Sequence, residues 1–110
     1  MKIPEIPFTA VDWSAVAAVE YPGETGKAIW RTKTVGDVRV RMVEYSPGYR
    51  ADHWCARGHI ILVVAGEMTA ELKDGHSTVL KAGMGYLASD DESNPHRSHT
   101  AGGCKLFIVD

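Results

Sequence analysis

GYRADHWCARGHIILVVAG, residues Gly48 to Gly66, decides how the rest of the chain is read. His53 and Cys55 stand two residues apart, so on a β-strand both side chains point to the same face. His59 follows four residues after Cys55 and keeps to that face if the strand continues, although Gly58 permits a bulge that would shift it. Imidazole and thiolate together form a ligand set suited to divalent transition metals. Pro95-His96 offers a fourth donor from elsewhere in the chain, with His99 as its rival. The plainer alternative makes these residues ordinary half-buried barrel positions. Three donors at this spacing favour metal binding.

Chain-wide properties narrow the remaining choices. The 110 residues make one domain with enough apolar content, 45%, for a hydrophobic core. A formal net charge of -2 gives no electrostatic footprint for nucleic acid or an anionic membrane. No apolar run approaches the roughly 18–20 residues that a spanning helix needs. The start, MKIPEIPF, has neither the hydrophobic segment nor the cleavage site of a secretory signal, and two cysteines make no disulfide framework. A cytoplasmic location is the expectation.

The flanking sequence has a β rhythm. Residues 1–36 form an N-terminal arm and first strands, where Pro4, Pro7 and Pro22 forbid a long helix. Ala15–Val19 fits a short helical turn capped by Asp12 or Ser14, and fits a strand equally well. PGETGK (Pro22–Lys27) lacks the spacing of a phosphate-binding loop and reads as a turn. Strands are expected over Ala28–Thr34 and Asp37–Tyr45, the latter with Arg39 and Arg41 on a solvated face. A strand pair over Arg50–Ala65 carries the donors, and Gly66–Leu72 alternates again. Asp74-Gly75 suits a type I′ hairpin turn. Further strands over Ser77–Leu80, Tyr86–Ser89 and Cys104–Val109 complete an all-β sandwich or barrel, with residues 37–110 as its core.

The quoted residues resemble the two signature motifs of the cupin superfamily. Gly48, His53-Trp54-Cys55, His59 and Gly66 follow the first motif; Gly85, His96 and Thr100 follow the second, with Asp91 and Ser93 at its proline and glycine positions. The Asp52–Cys55 run and the ending Lys105–Asp110 are similar to those of small single-domain bacterial DHCW-motif cupins. The resemblance implies a single cupin-like jelly-roll barrel over 1–110 and a site formed by His53, Cys55, His59 and His96. Two departures stand out. Cys55 replaces the second histidine of the usual ligand set, and His59 replaces its glutamate.

One thiolate keeps the charge of that set while softening it towards zinc, with iron, nickel or copper as alternatives. Four ligands could close a tetrahedral zinc site, or leave two positions open in an octahedral one. Tyr86 is the one candidate catalytic side chain, able to offer a hydroxyl, and barrel packing is its alternative role. His76 is expected at the surface, and Cys104 in the core. Three functions compete for the site: a metal-dependent enzyme acting on a small molecule, a non-catalytic small-ligand binder, and a metal-free pocket with Cys55 activated by a histidine. The apolar residues on both faces of Ile60–Val64 point to a homodimer.

Overall fold

A computed structural model describes Ile3 and residues 6–110. The readings of the MKIPEIPF start and of Pro4 lie wholly or partly outside the described residues. Among the described residues, eight strands follow a short 3-10 turn at Trp13–Ala15: β1 (Ala18–Pro22), β2 (Lys27–Val35), β3 (Val38–Tyr45), β4 (His59–Leu72), β5 (Ser77–Lys81), β6 (Gly85–Ala88), β7 (His96–His99) and β8 (Cys104–Val109). The fold is all-β. The open N-terminal segment resolves into both of its alternatives: Asp12 caps the turn by accepting from the Ser14 N–H at 3.0 Å, and β1 follows.

All ladders are antiparallel. β1, β2, β3, β8 and the first half of β4 form one sheet, extended by β6 on the far side of β4. The second half of β4 lies between β5 and β7 in the other sheet. Among the described residues β1 pairs with β2 alone, so no ladder there closes the barrel at that edge. β4 therefore belongs to both layers.

Its register shows how. His59, Ile61 and Val63 are buried while Ile60, Leu62 and Val64 are exposed; beyond the bend it is Met68, three residues after Ala65, that is buried. The inward phase changes from odd to even positions at an irregularity between Val63 and Ala65. Gly66 follows with a φ of 75°, and a Cβ there would overlap the carbonyl of Gly103. Both halves of the strand thus face one core of Val43, Ile61, Val63, Met68, Leu80, Cys104, Leu106 and Ile108. Val63 and Leu106 are fully buried, and burial of each such side chain contributes about 2 kcal/mol.

Three expectations are corrected. Residues 50–58 are not a regular strand; they form a loop tied down by single bridges, and the strand begins at His59. β3 is turned over: Arg41 is buried and Arg39 half-buried, paired across the ladder with Ile108 and Asp110 respectively, because a buried carboxylate supplies their partner. The hairpin loop after β4 is not type I′, because Gly75 has positive φ (103°) and Asp74 does not.

Candidate metal centre

The loop that carries Cys55 is held from two directions. Cys55 and His96 exchange both backbone hydrogen bonds, at 2.7 and 2.9 Å, which sets their side chains on the same side of the bridge. Further along, the Gly58 N–H donates to the Asp90 carboxylate at 2.7 Å. A Cβ at Gly58 would meet the Ala88 carbonyl at 2.5 Å, so glycine here allows the loop to lie against the end of β6. On the outside, the Arg97 guanidinium stacks 4.3 Å over Trp54.

These restraints bring three donors together. Ligand atoms of Cys55, His59 and His96 all lie within 4.8 Å of one another. Cys55 Sγ stands 3.5 Å from His59 Nε2, and the two histidine rings meet edge to face at 5.0 Å. His96 Nε2 is buried without a hydrogen-bond partner among the described residues, a condition that ordinarily carries a free-energy cost. Donor separations of this size suit one ion with bonds of roughly 2.0–2.3 Å. The donor chemistry and the unpaired nitrogen fit a soft or borderline divalent metal.

His53 stands apart. Its side chain is 75% exposed, with Nδ1 2.6 Å from the Asp52 carboxylate. The same-face argument for His53 and Cys55 required a strand, and the chain here is irregular. His99 also lies away from the group, its Nδ1 2.9 Å from Glu71 on the outer side of β7. Ser98 and Thr100 share the inward face with His96. Tyr86 sits edge-on to the His96 ring at 5.7 Å; burial raises its pKa, which keeps the hydroxyl protonated. His76 is exposed, and burial pushes the Cys104 thiol up to about 11.

Sequence reasoning missed Asp110. Its side chain is 1% exposed and accepts from Arg39 Nε and Nη2 at 2.8 and 3.0 Å and from Arg41 Nη2 at 2.9 Å. His59 Nδ1 lies 2.8 Å from Asp110 Oδ2, in contact but off the line of a good hydrogen bond. Burial pushes the Asp110 carboxyl up, yet the Arg39 hydrogen bond and the charges of Arg41, Arg39 and His59 outweigh it and hold the group at about 2. Burial is also the largest influence on His59, and with His96 and Arg41 it overcomes Asp110 to bring the imidazole down to about 4. His96 is lowered by burial as well. Both rings are therefore neutral at neutral pH, the form that binds metals. The available signal was the alternation Leu106, Ile108, Asp110, which places a carboxylate inward beside an Arg-x-Arg strand.

Comparison with known proteins supports the architecture. No family model matches the chain, and no curated protein matches it in sequence. Solved structures do. A sugar phosphate isomerase from a cupin superfamily of Silicibacter pomeroyi superposes with a TM-score of 0.71 at 13% identity, covering 92% of this chain and 74% of that one. A predicted oxalate decarboxylase from Thermotoga maritima gives 0.76 at 14% identity, covering 92% and 96%. The Fe(II) form of HppE gives 0.76 at 13% identity, covering 94% and 60%. At these identities the likeness shows the fold: a cupin jelly roll.

Proposed function

We propose that this cupin-fold chain is a metal-dependent enzyme acting on a small molecule, with Cys55, His59 and His96 as the protein ligands. The observation that carries this reading is the convergence of those three donors within 4.8 Å, with His96 Nε2 buried and unpaired. Three protein ligands are the pattern of catalytic rather than structural zinc sites, which leave a position for water or substrate. A bound divalent ion would supply Lewis acidity there. The chain's own residues do the remaining work: Asp110 orients His59, Tyr86 offers a protonated hydroxyl beside His96, and the buried wall excludes water from the rings. Zinc is the first candidate on ligand softness, followed by iron, nickel and copper. Iron has support in HppE, a structural neighbour that carries Fe(II).

A second reading rests on the 3.5 Å contact between Cys55 Sγ and His59 Nε2, which fits a metal-free thiol activated by an imidazole. Metal analysis of tag-free protein, paired with alkylation of Cys55, separates the two. Near-stoichiometric metal that protects Cys55 supports the centre; a metal-free protein whose thiol is rapidly alkylated supports the pair.

The working unit in this proposal is a homodimer in the cytoplasm. Ile60, Leu62 and Val64 alternate outward on β4 beside Leu87 of β6, which is 80% exposed, and Phe107 of β8 lies next to Leu62. A second copy laid on this sheet would cover an apolar patch of a kind that monomers rarely leave open.

A further inference from the structure

The concave side of β1 carries an exposed apolar strip. Ladder partners share a face, and the row Val19, Trp30, Val43, Leu106 ends in two buried core residues. The next row pairs Tyr21 with buried Ala28. Val19 and Tyr21 therefore face inward, yet they are 49% and 43% exposed, because the second sheet comprises only β5, β7 and half of β4. Tyr21 and Trp30 form a tilted pair with centroids 4.4 Å apart.

From Trp30, contacts lead to the metal centre through the charged groups of Arg41, Arg39 and Asp110. The Arg41 guanidinium lies 4.2 Å over the Trp30 ring, and Arg39 lies 5.4 Å from it. Both hold Asp110, which touches His59. Two guanidinium groups against one carboxylate leave a net positive charge beside the donors. Arg39 gives Nε and Nη2 to Asp110, while its Nη1 makes no hydrogen bond among the described residues; its side chain is 27% exposed. Arg41 by contrast is sealed, at 4% exposure.

We infer that Val19, Tyr21 and Trp30 form the ring-binding wall of the substrate site, and that the substrate is a small aromatic acid whose anionic group meets Arg39 and the metal centre. The aromatic pair gives a flat ring edge and face contacts that a saturated ring cannot match, and the remaining Nη1 of Arg39 can donate to a carboxylate oxygen. This inference rests on the metal-centre reading above and names its substrate class.

The test uses zinc-loaded, tag-free full-length chain, with zinc content measured for every sample. Benzoate, cyclohexanecarboxylate and benzyl alcohol are titrated in by calorimetry. Cyclohexanecarboxylate isolates the carboxylate contact to metal and Arg39, and benzyl alcohol isolates the ring. Benzoate is expected to bind roughly tenfold tighter than either, a difference within reach of one stacking or one charged contact. Tyr21→Ala, a surface change on an edge strand, should remove that preference with zinc content unchanged, and Tyr21→Phe should restore it. Equal binding of benzoate and cyclohexanecarboxylate, or an unchanged preference in Tyr21→Ala, overturns the ring wall and leaves the metal centre standing. A chain that takes up no zinc, iron or nickel overturns both.

Discussion

Asp110 Oδ2 lies 2.8 Å from Nδ1 of His59, on the opposite side of the ring from the Nε2 that faces Cys55. A carboxylate placed behind a histidine favours the proton on the near nitrogen and leaves the far one for a metal, so Asp110 acts on the site through His59 without being a ligand itself. Replacement by Asn keeps the shape and removes the charge that Arg39 and Arg41 enclose. Asp110→Asn should weaken metal affinity about 10–100-fold and destabilise the fold by about 3–5 kcal/mol. Competitive chelation and urea unfolding measure the two effects.

The ligand assignment separates cleanly by mutation. Cys55→Ser, His59→Ala and His96→Ala should each abolish stoichiometric metal, while His53→Ala should retain it, because that ring is exposed and paired with Asp52. Elemental analysis of tag-free preparations is the readout. Loss of metal in His53→Ala would restore a four-ligand site.

Acid should destabilise the metal-free protein in two stages. His59 has a folded pKa of about 4 against an ordinary 6.5, and Asp110 about 2 against 3.8. Both are depressed, so the stability linked to each is complete above its ordinary value and is lost as pH falls through the folded one. The urea midpoint should decline from about pH 6.5 down to about 4, then again towards 2. In His59→Gln the first stage should shrink to what His96 contributes, and in Asp110→Asn the second should shrink to what the other depressed carboxylates contribute.

If the outer sheet face joins two copies, charge placed on it should part them. Leu87→Glu combined with Leu62→Glu should halve the mass measured by light scattering and leave metal content intact. Both side chains are already exposed, so the fold of one copy should tolerate the change. A wild-type chain that runs as a monomer at high concentration would sink the proposal.

Much of the fold was legible because alternation and turn residues act locally. β8 was read from Cys104–Val109 with its observed limits, and β3 and β5 were each placed within a residue. The site was legible only in part. Cys55, His59 and His96 were named from residue type and spacing, but the orientation of His53 depends on whether residues 50–58 form a strand, and loop bridges decide that. The face of β3 was missed for a related reason. Alternation says which residues share a side, never which side is inside, and Arg41 points inward only because Asp110, distant in sequence, waits there.

The change of inward phase near Val64 has a consequence for how this chain tolerates length variation. β4 begins with His59 and ends at Leu72, which pairs with His96, so both ends of one strand serve the same cluster. The bend at Gly66 works like a frameshift built into a reading frame: upstream residues are in register with one sheet, downstream residues with the other. Deleting a single residue there would leave every side chain chemically unchanged and still turn out of the core either the His59 half or the Met68 half. Indels should accordingly be purged from this bend even where substitutions nearby are accepted.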